Sequence, residues 1–268
     1  MTAVVVLLHA FPLDHRMWAA QQQGLAAAGW PAVALDLPGF AGTPLLDAEP
    51  SLEPVADAIA QHLAADGIDH YVLVGLSLGG YVAMAMARRA LARGQAAAID
   101  GLILCDTKAS ADTPTAVANR IRLAESVLDE SVLAEPGRCG RILRQALLPG
   151  LLGATTHASR PEVLAKVGGW LDEAEPATVA WYQHAMAGRP DSHQVLRDLA
   201  VPTLVLWGDE DTLSPQDEQA SMLAVLARGR ESIIEGVGHL SAVEDPMAVT
   251  ESILAALVGS SDRVDRSQ

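Results

Sequence analysis

The sequence predicts an α/β fold with a mainly parallel sheet of six strands. Three observations carry this: short apolar runs recur along the chain, each ends in a turn, and helical patterns separate most of them. The runs are Val4 to Leu8, Ala32 to Leu35, Tyr71 to Val74, Leu102 to Leu104, Thr203 to Trp207 and Ser232 to Ile234. Strands this continuously apolar belong in a parallel sheet covered on both faces. Between the second and third runs, Leu52, Val55, Ala56, Ile59 and Leu63 share one helical face, with Ser51 placed to cap the start and Gly67 to stop the end.

The alternation breaks after the fourth run. From about Ala109 to Pro190 the chain reads as successive helices, centred on Ala116 to Leu128, Arg141 to Leu148, Val163 to Leu171 and Thr178 to Ala187, with Pro136, Pro149, Gly150, Pro161 and Pro176 as punctuation. We therefore expect a helical cap over 109–190, inserted in a core made of 1–108 and 191–259. A polar, flexible tail is expected over 260–268.

Composition narrows the function. Half of the 268 residues are apolar, enough for one substantial core. With 18 basic against 33 acidic residues the formal net charge is -15, which repels phosphate backbones and anionic lipid, so neither nucleic acid nor a membrane is an expected partner. An anionic small molecule is still admissible, because the potential inside a pocket can oppose the overall sign. Cys105 and Cys139 have neither metal-type spacing nor disulfide-framework density, which suits a reducing compartment. Met1 to Leu8 lacks a basic leader region, and Arg88 and Arg89 interrupt the best apolar stretch. A soluble, cytoplasmic protein is expected.

The sharpest motif is Gly75-Leu76-Ser77-Leu78-Gly79, between the strand ending at Val74 and the helical run Tyr81 to Leu91. Strand, G-x-S-x-G and helix together make a nucleophile elbow. The turn is too tight for side chains at its flanks, so Gly75, Gly79 and Gly80 supply room. Ser77 is thereby lifted to a helix N-terminus, whose free N–H groups can face an oxyanion.

A serine hydroxyl needs a base, and the base needs an anion to fix its tautomer and stabilise the imidazolium. Both follow later apolar runs: Gly208-Asp209-Glu210-Asp211 and Gly236-Val237-Gly238-His239. Ser77, Asp211 and His239 fall in the order this chemistry shows on α/β sheets, at strand ends where such sheets place their sites. Asp209 and Asp106 compete with Asp211. We assign Asp209 to bracing its turn and Asp106 to fixing the loop into the cap. The first run leads into His9-Ala10-Phe11-Pro12, so the N–H of Phe11 can join that of Leu78 as an oxyanion hole, with His9 a loop brace. Phe40, Trp170, Trp181 and Tyr182 are candidates to line an apolar substrate pocket. No metal-ligand, phosphate-loop or dinucleotide pattern occurs, and no cofactor is expected.

With these motifs in this order, the chain resembles the α/β-hydrolase superfamily, in its capped branch of small cofactor-free serine hydrolases, from Val4 to about Val258. Phe11-Pro12-Leu13-Asp14 and Leu104-Cys105-Asp106-Thr107 resemble enol-lactonases of the 3-oxoadipate type and neighbouring esterases. Three departures stand out. The antiparallel hairpin that often opens the fold is not expected here. Alanine stands at positions 10 and 41 where the family commonly has glycine, and a positive φ at alanine would cost about 1–2 kcal/mol. The nucleophile is serine and not aspartate, against haloalkane dehalogenase or epoxide hydrolase chemistry. The expected activity is hydrolysis of a carboxylic ester of a small molecule through an acyl-enzyme. The same residues would also serve lactone, enol-lactone or carbon–carbon bond hydrolysis, or a slow-turnover ligand-sensing receptor.

Overall fold

The computed structural model describes residues 3–261. Six strands form one sheet: β1 (Val4–Leu8), β2 (Ala32–Leu35), β3 (Tyr71–Leu76), β4 (Ile99–Cys105), β5 (Thr203–Gly208) and β6 (Gly229–Ile234). Their order is β2-β1-β3-β4-β5-β6, and every pairing is parallel. Val5 to Leu8 and Leu73 to Leu76 are buried, as strands covered on two faces require. Strands β4 and β6 start earlier than their apolar runs. Asp100, Arg230 and Glu231 are exposed yet lie within them, because the ladder is closed by backbone groups and asks nothing of side chains at a sheet margin.

The helices, in chain order, are α1 (Ala19–Ala27), α2 (Leu52–Ala65), α3 (Leu78–Ala92), α4 (Pro114–Val127), α5 (Glu130–Leu133), α6 (Arg138–Leu151), α7 (Ala154–Ser159), α8 (Pro161–Asp172), α9 (Pro176–Ala187), α10 (His193–Leu199), α11 (Gln216–Leu223), α12 (Ser241–Glu244) and α13 (Pro246–Ser261). The hydroxyl of Ser51 accepts the Glu53 N–H at 3.3 Å, and Gly67 follows α2 with φ 70°, the cap and stop the sequence implies. The chain steps from β1 to one edge, then crosses back to build the rest of the sheet. Right-handed crossovers therefore place α1 on one face and α2 and α3 on the other. Accordingly α1 packs on α13, while α2 and α10 pack on α3. The reversal opens a crevice at the carboxyl ends of β1 and β3, where doubly wound sheets bind ligands.

Helices α4 to α9 lie in the insertion between β4 and β5. All four expected helices are present, each longer than its apolar pattern, and α5 and α7 are additional short helices. Pro161 and Pro176 start α8 and α9, where a missing N–H costs nothing. Pro149, expected to interrupt the chain, instead lies inside α6. The helix ends two residues later, so only one hydrogen bond of a fraying turn is forfeited. Ser260 and Ser261, expected to begin a flexible tail, are still in α13; residues 262–268 lie outside the described residues. Among the described residues no helix is long and apolar enough to cross a membrane.

The insertion is tied down at its neck and along α9. The Ser192 N–H donates to the carbonyl of Ala109 at 2.8 Å, closing the neck. Helix α9 packs on α4 and hangs from the loop after β2. There the Tyr182 hydroxyl donates to Pro38 O at 2.9 Å, Thr178 Oγ1 to Gly39 O at 3.0 Å, and Trp181 Nε1 to Ala48 O at 3.0 Å. Tyr182 is fully buried, so Tyr182→Phe keeps the ring but strands the Pro38 carbonyl. Urea denaturation should show a loss of about 1–2 kcal/mol, and an unchanged midpoint would show that this bond does not hold α9.

Candidate active site

Ser77 stands between β3 and α3 with φ 53° and ψ -110°, a conformation costly for a residue with a side chain. Its backbone is held from three sides. The N–H donates to Cys105 O at 3.0 Å, and the carbonyl accepts from Thr107 Oγ1 at 2.8 Å and from the Tyr81 N–H at 3.1 Å. The flanking glycines are a steric necessity: a Cβ on Gly79 would lie 2.0 Å from Leu8 O, and one on Gly75 would lie 2.3 Å from the Gly79 carbonyl. Sequence and strain thus agree on a turn that presents the hydroxyl outward.

Three distant loops meet at that hydroxyl. His239 Nε2 is 2.8 Å from Ser77 Oγ, and His239 Nδ1 is 2.9 Å from Asp211 Oδ2. His239 and Asp211 are both buried. An ionised Asp211 can only accept, so Nδ1 carries the proton and the lone pair of Nε2 faces the serine. Asp211 Oδ1 accepts the N–H groups of Leu213 at 2.8 Å and Ser214 at 3.2 Å, while Ser214 Oγ donates to Oδ2 at 2.5 Å. Burial alone would raise the Asp211 pKa. The opposing charge and hydrogen bond of His239, with help from Ser214 and Leu213, bring it down to about 2.

The competing aspartates are engaged elsewhere. Asp209 accepts the Gly236 N–H at 2.7 Å and braces its turn as expected. Asp106 does not fix the loop into the insertion, which corrects the reading from sequence. With φ 44° it turns back over the sheet, accepting the Gly208 N–H at 2.9 Å on Oδ1 and the Ser241 hydroxyl on Oδ2. It thus ties the end of β4 to the end of β5 and to the loop bearing His239. Burial, chiefly, and the nearby charge of Asp211 push its pKa well above the carboxylate range.

That loop has a second brace, which the sequence did not reveal. Glu244 is buried; its Oε1 accepts the Gly238 N–H at 2.9 Å and its Oε2 the Gly153 N–H at 2.8 Å. The Leu240 N–H donates to Leu151 O at 3.0 Å, and Arg160 donates to Glu244 O at 2.6 Å and Gly236 O at 3.0 Å. Backbone lies against backbone here, since a Cβ on Gly238 would sit 2.3 Å from the Gly153 nitrogen. Ser214, three residues after Asp211, was the more legible omission, because aspartate commonly accepts from residues two and three positions on.

A cavity of about 290 Å³ opens on Ser77 and His239. Phe11 borders it, and Leu78 directly follows Ser77 at the start of α3. Among the described residues, no hydrogen bond uses the N–H of either. Ala10 stays out of the left-handed region, whereas Ala41 enters it with φ 49°. His9 is fully buried and accepts the Leu37 N–H on Nε2 at 3.0 Å, so Nδ1 carries the proton toward Ala10 O; burial lowers its pKa and it serves as a brace.

The four aromatic pocket candidates are a correction, for none is among the residues lining this cavity. Phe40 packs between His9 and Tyr182, at ring distances of 4.8 and 4.9 Å. Trp181 and Tyr182 are spent anchoring α9, and Trp170 lies under the Lys166 ammonium at 5.0 Å. Gln183 and Met186, one turn apart on α9, are what that helix shows to the cavity. Among the described residues one group, Asp14, His15 and Asp36, has ligand atoms close enough to share an ion. Its atoms are already paired, Asp14 with Arg16 and His15 Nδ1 with Asp36.

Asp211 and Asp106 carry opposite pH signatures. Asp211, depressed when folded, contributes stability that is present above its unfolded pKa near 3.8 and is lost as pH falls toward about 2. Asp106, raised when folded, burdens the fold increasingly as pH rises above that unfolded value. Asp211→Asn should therefore cost on the order of 2 kcal/mol at pH 7 and roughly half of that at pH 3. Asp106→Asn, which keeps an acceptor for Gly208 and can donate to Ser241, should be neutral or stabilising at pH 8. Denaturation of both variants across pH 3–8 checks this; equal costs at every pH would count against it.

Comparison with known proteins supplies the lineage. The profile of the Alpha/beta hydrolase family matches residues 5–252. A thermophilic esterase from Thermogutta terrifontis, solved with malate bound, is 36% identical and superposes with a TM-score of 0.87, covering 97% of this chain and 91% of that one. The pimeloyl-[acyl-carrier protein] methyl ester esterase of Neisseria meningitidis is 28% identical over 88% of this chain and 86% of its own length. An enol-lactonase from Burkholderia xenovorans, at 22% identity and a TM-score of 0.81 over 96% of this chain and 92% of its own, shares the fold. The chain belongs to the α/β-hydrolase family.

Proposed function

We propose that the protein is a serine hydrolase cleaving a carboxylic ester of a small molecule. The observation that carries this reading is the relay from Asp211 Oδ2 through His239 to Ser77 Oγ, with contacts of 2.9 and 2.8 Å. Ser77 Oγ attacks the ester carbonyl and its proton passes to His239 Nε2. Asp211 holds the imidazolium that forms. The carbonyl oxygen, now an oxyanion, takes the N–H groups of Leu78 and Phe11. His239 then protonates the departing alcohol. Water, deprotonated by the same histidine, releases the acid from Ser77. The resting geometry needs no rearrangement for the first proton transfer.

The helices of 109–190 act in this reading as a cap on a core of 1–108 and 191–259. They supply most of the cavity wall, including Leu123, Leu147, Leu151 and Met186. The esterases among the similar proteins support the same bond type. Ser77→Ala should abolish turnover of p-nitrophenyl acetate and labelling by a fluorophosphonate, and Asp211→Asn should lower kcat by about 10³–10⁴. Turnover or labelling that survives the loss of the Ser77 hydroxyl would refute the assignment of the nucleophile.

A further inference from the structure

The cavity beside Ser77 has a sign opposite to that of the protein. At its polar end lies Asp112, whose side chain is fully buried, and three cations converge on it. Arg120 Nε is 2.5 Å from Oδ2, Arg189 Nη1 is 2.8 Å from Oδ1, and Lys108 Nζ is 3.7 Å from Oδ1. One negative charge thus answers three positive ones, in a chain whose formal net charge is -15.

The cations are not equally occupied. Arg189 is consumed by structure: it donates to Met186 O at 3.0 Å and Ser110 O at 2.9 Å, and its guanidinium lies 4.0 Å from the Tyr81 ring. Among the described residues, Arg120 meets beyond Asp112 only neutral groups, Gln183 Oε1 at 3.3 Å and Met186 Sδ at 3.4 Å. The Lys108 ammonium makes no hydrogen bond to any described residue. Lys108 and Arg120 both line the cavity that holds Ser77 and His239, and their side chains are only about a fifth exposed. Holding surplus cations away from water is unfavourable unless an anion offsets them. Leu123, Leu147, Leu151 and Met186 give the cavity an apolar wall, and its volume sits near the lower limit for small-molecule sites.

We infer that the substrate is a short ester bearing an ionised carboxylate on the part that stays near the cap, bound by Lys108 and Arg120 while Ser77 attacks its ester carbonyl. The guanidinium edge and the ammonium offer two donors for two oxygens. The alkyl chain between carboxylate and ester lies against the apolar wall. The inference rests on the ester-hydrolase reading above and deepens it.

Monomethyl glutarate and dimethyl glutarate separate the two claims, being close in size and differing in one charge. The wild-type protein should favour the monoester in kcat/KM by about tenfold or more in low salt, with the ratio shrinking as salt is added. Lys108→Met should lower that ratio mainly by raising KM for the monoester, and Lys108→Arg should restore it. Calorimetric titration of the Ser77→Ala protein should show the same preference without turnover. Equal use of the two esters, or preference for the diester, overturns the carboxylate assignment and leaves the ester reading standing. No turnover of either ester and no fluorophosphonate labelling, with selective monoester binding by the Ser77→Ala protein, overturns the ester reading and sustains the anion site.

Discussion

The arrangement depends on where one imidazole is held. His239 lies on a loop without regular structure, yet its ring must bridge a serine after β3 and an aspartate after β5. No single contact fixes it. Asp211 sets the ring's rotation and tautomer, Ser214 and two backbone amides set Asp211, and Glu244 sets the backbone on the approach to the ring. His239, Asp211, Ser214 and Glu244 are buried, where a missing partner costs more than the bond itself returns in water. The site is therefore rigid because its polar atoms have few alternatives.

The sheet makes such convergence affordable in chain length. Strands β1, β3, β4, β5 and β6 all run the same way, so Phe11, Ser77, Asp106, Asp211 and His239 all emerge at one edge. The neighbours of β3 in the sheet, β1 and β4, contribute the steric floor under the elbow and the Cys105 carbonyl that receives the Ser77 N–H. The strained φ of Ser77 is sustained by this surrounding network, since such strain persists only where its surroundings over-determine it.

Legibility in the sequence followed distance along the chain. Ser77, Asp211 and His239 each close a short apolar run with glycines beside them, so strand end, turn and reactive group appear within a few residues of one another. The six strands were legible for the same reason, while the polar starts of β4 and β6 were hidden because pairing there rests on backbone alone. The roles of Phe40, Trp170, Trp181 and Tyr182 were not legible. Composition says that aromatics will be buried, and only packing says against what. Glu244 escaped notice because one of its partners, Gly153, is 91 residues away, and Asp106 was misread because its turn back over the sheet depends on a positive φ that no local pattern announces.

The bond between the Leu240 N–H and Leu151 O, with the Gly153 and Gly238 backbones in contact, has an architectural consequence. By order along the chain, the stretch from Leu151 to Arg160 belongs with the inserted helices; by attachment it belongs with the edge of the sheet that carries Ser77 and His239. Excising or exchanging the insertion at its neck, where Ala109 meets Ser192, would tear out the scaffolding of the histidine as well. A chimera that preserves function must leave that corner in place and make its joints inside the insertion, so the seam for recombination differs from the seam visible in topology.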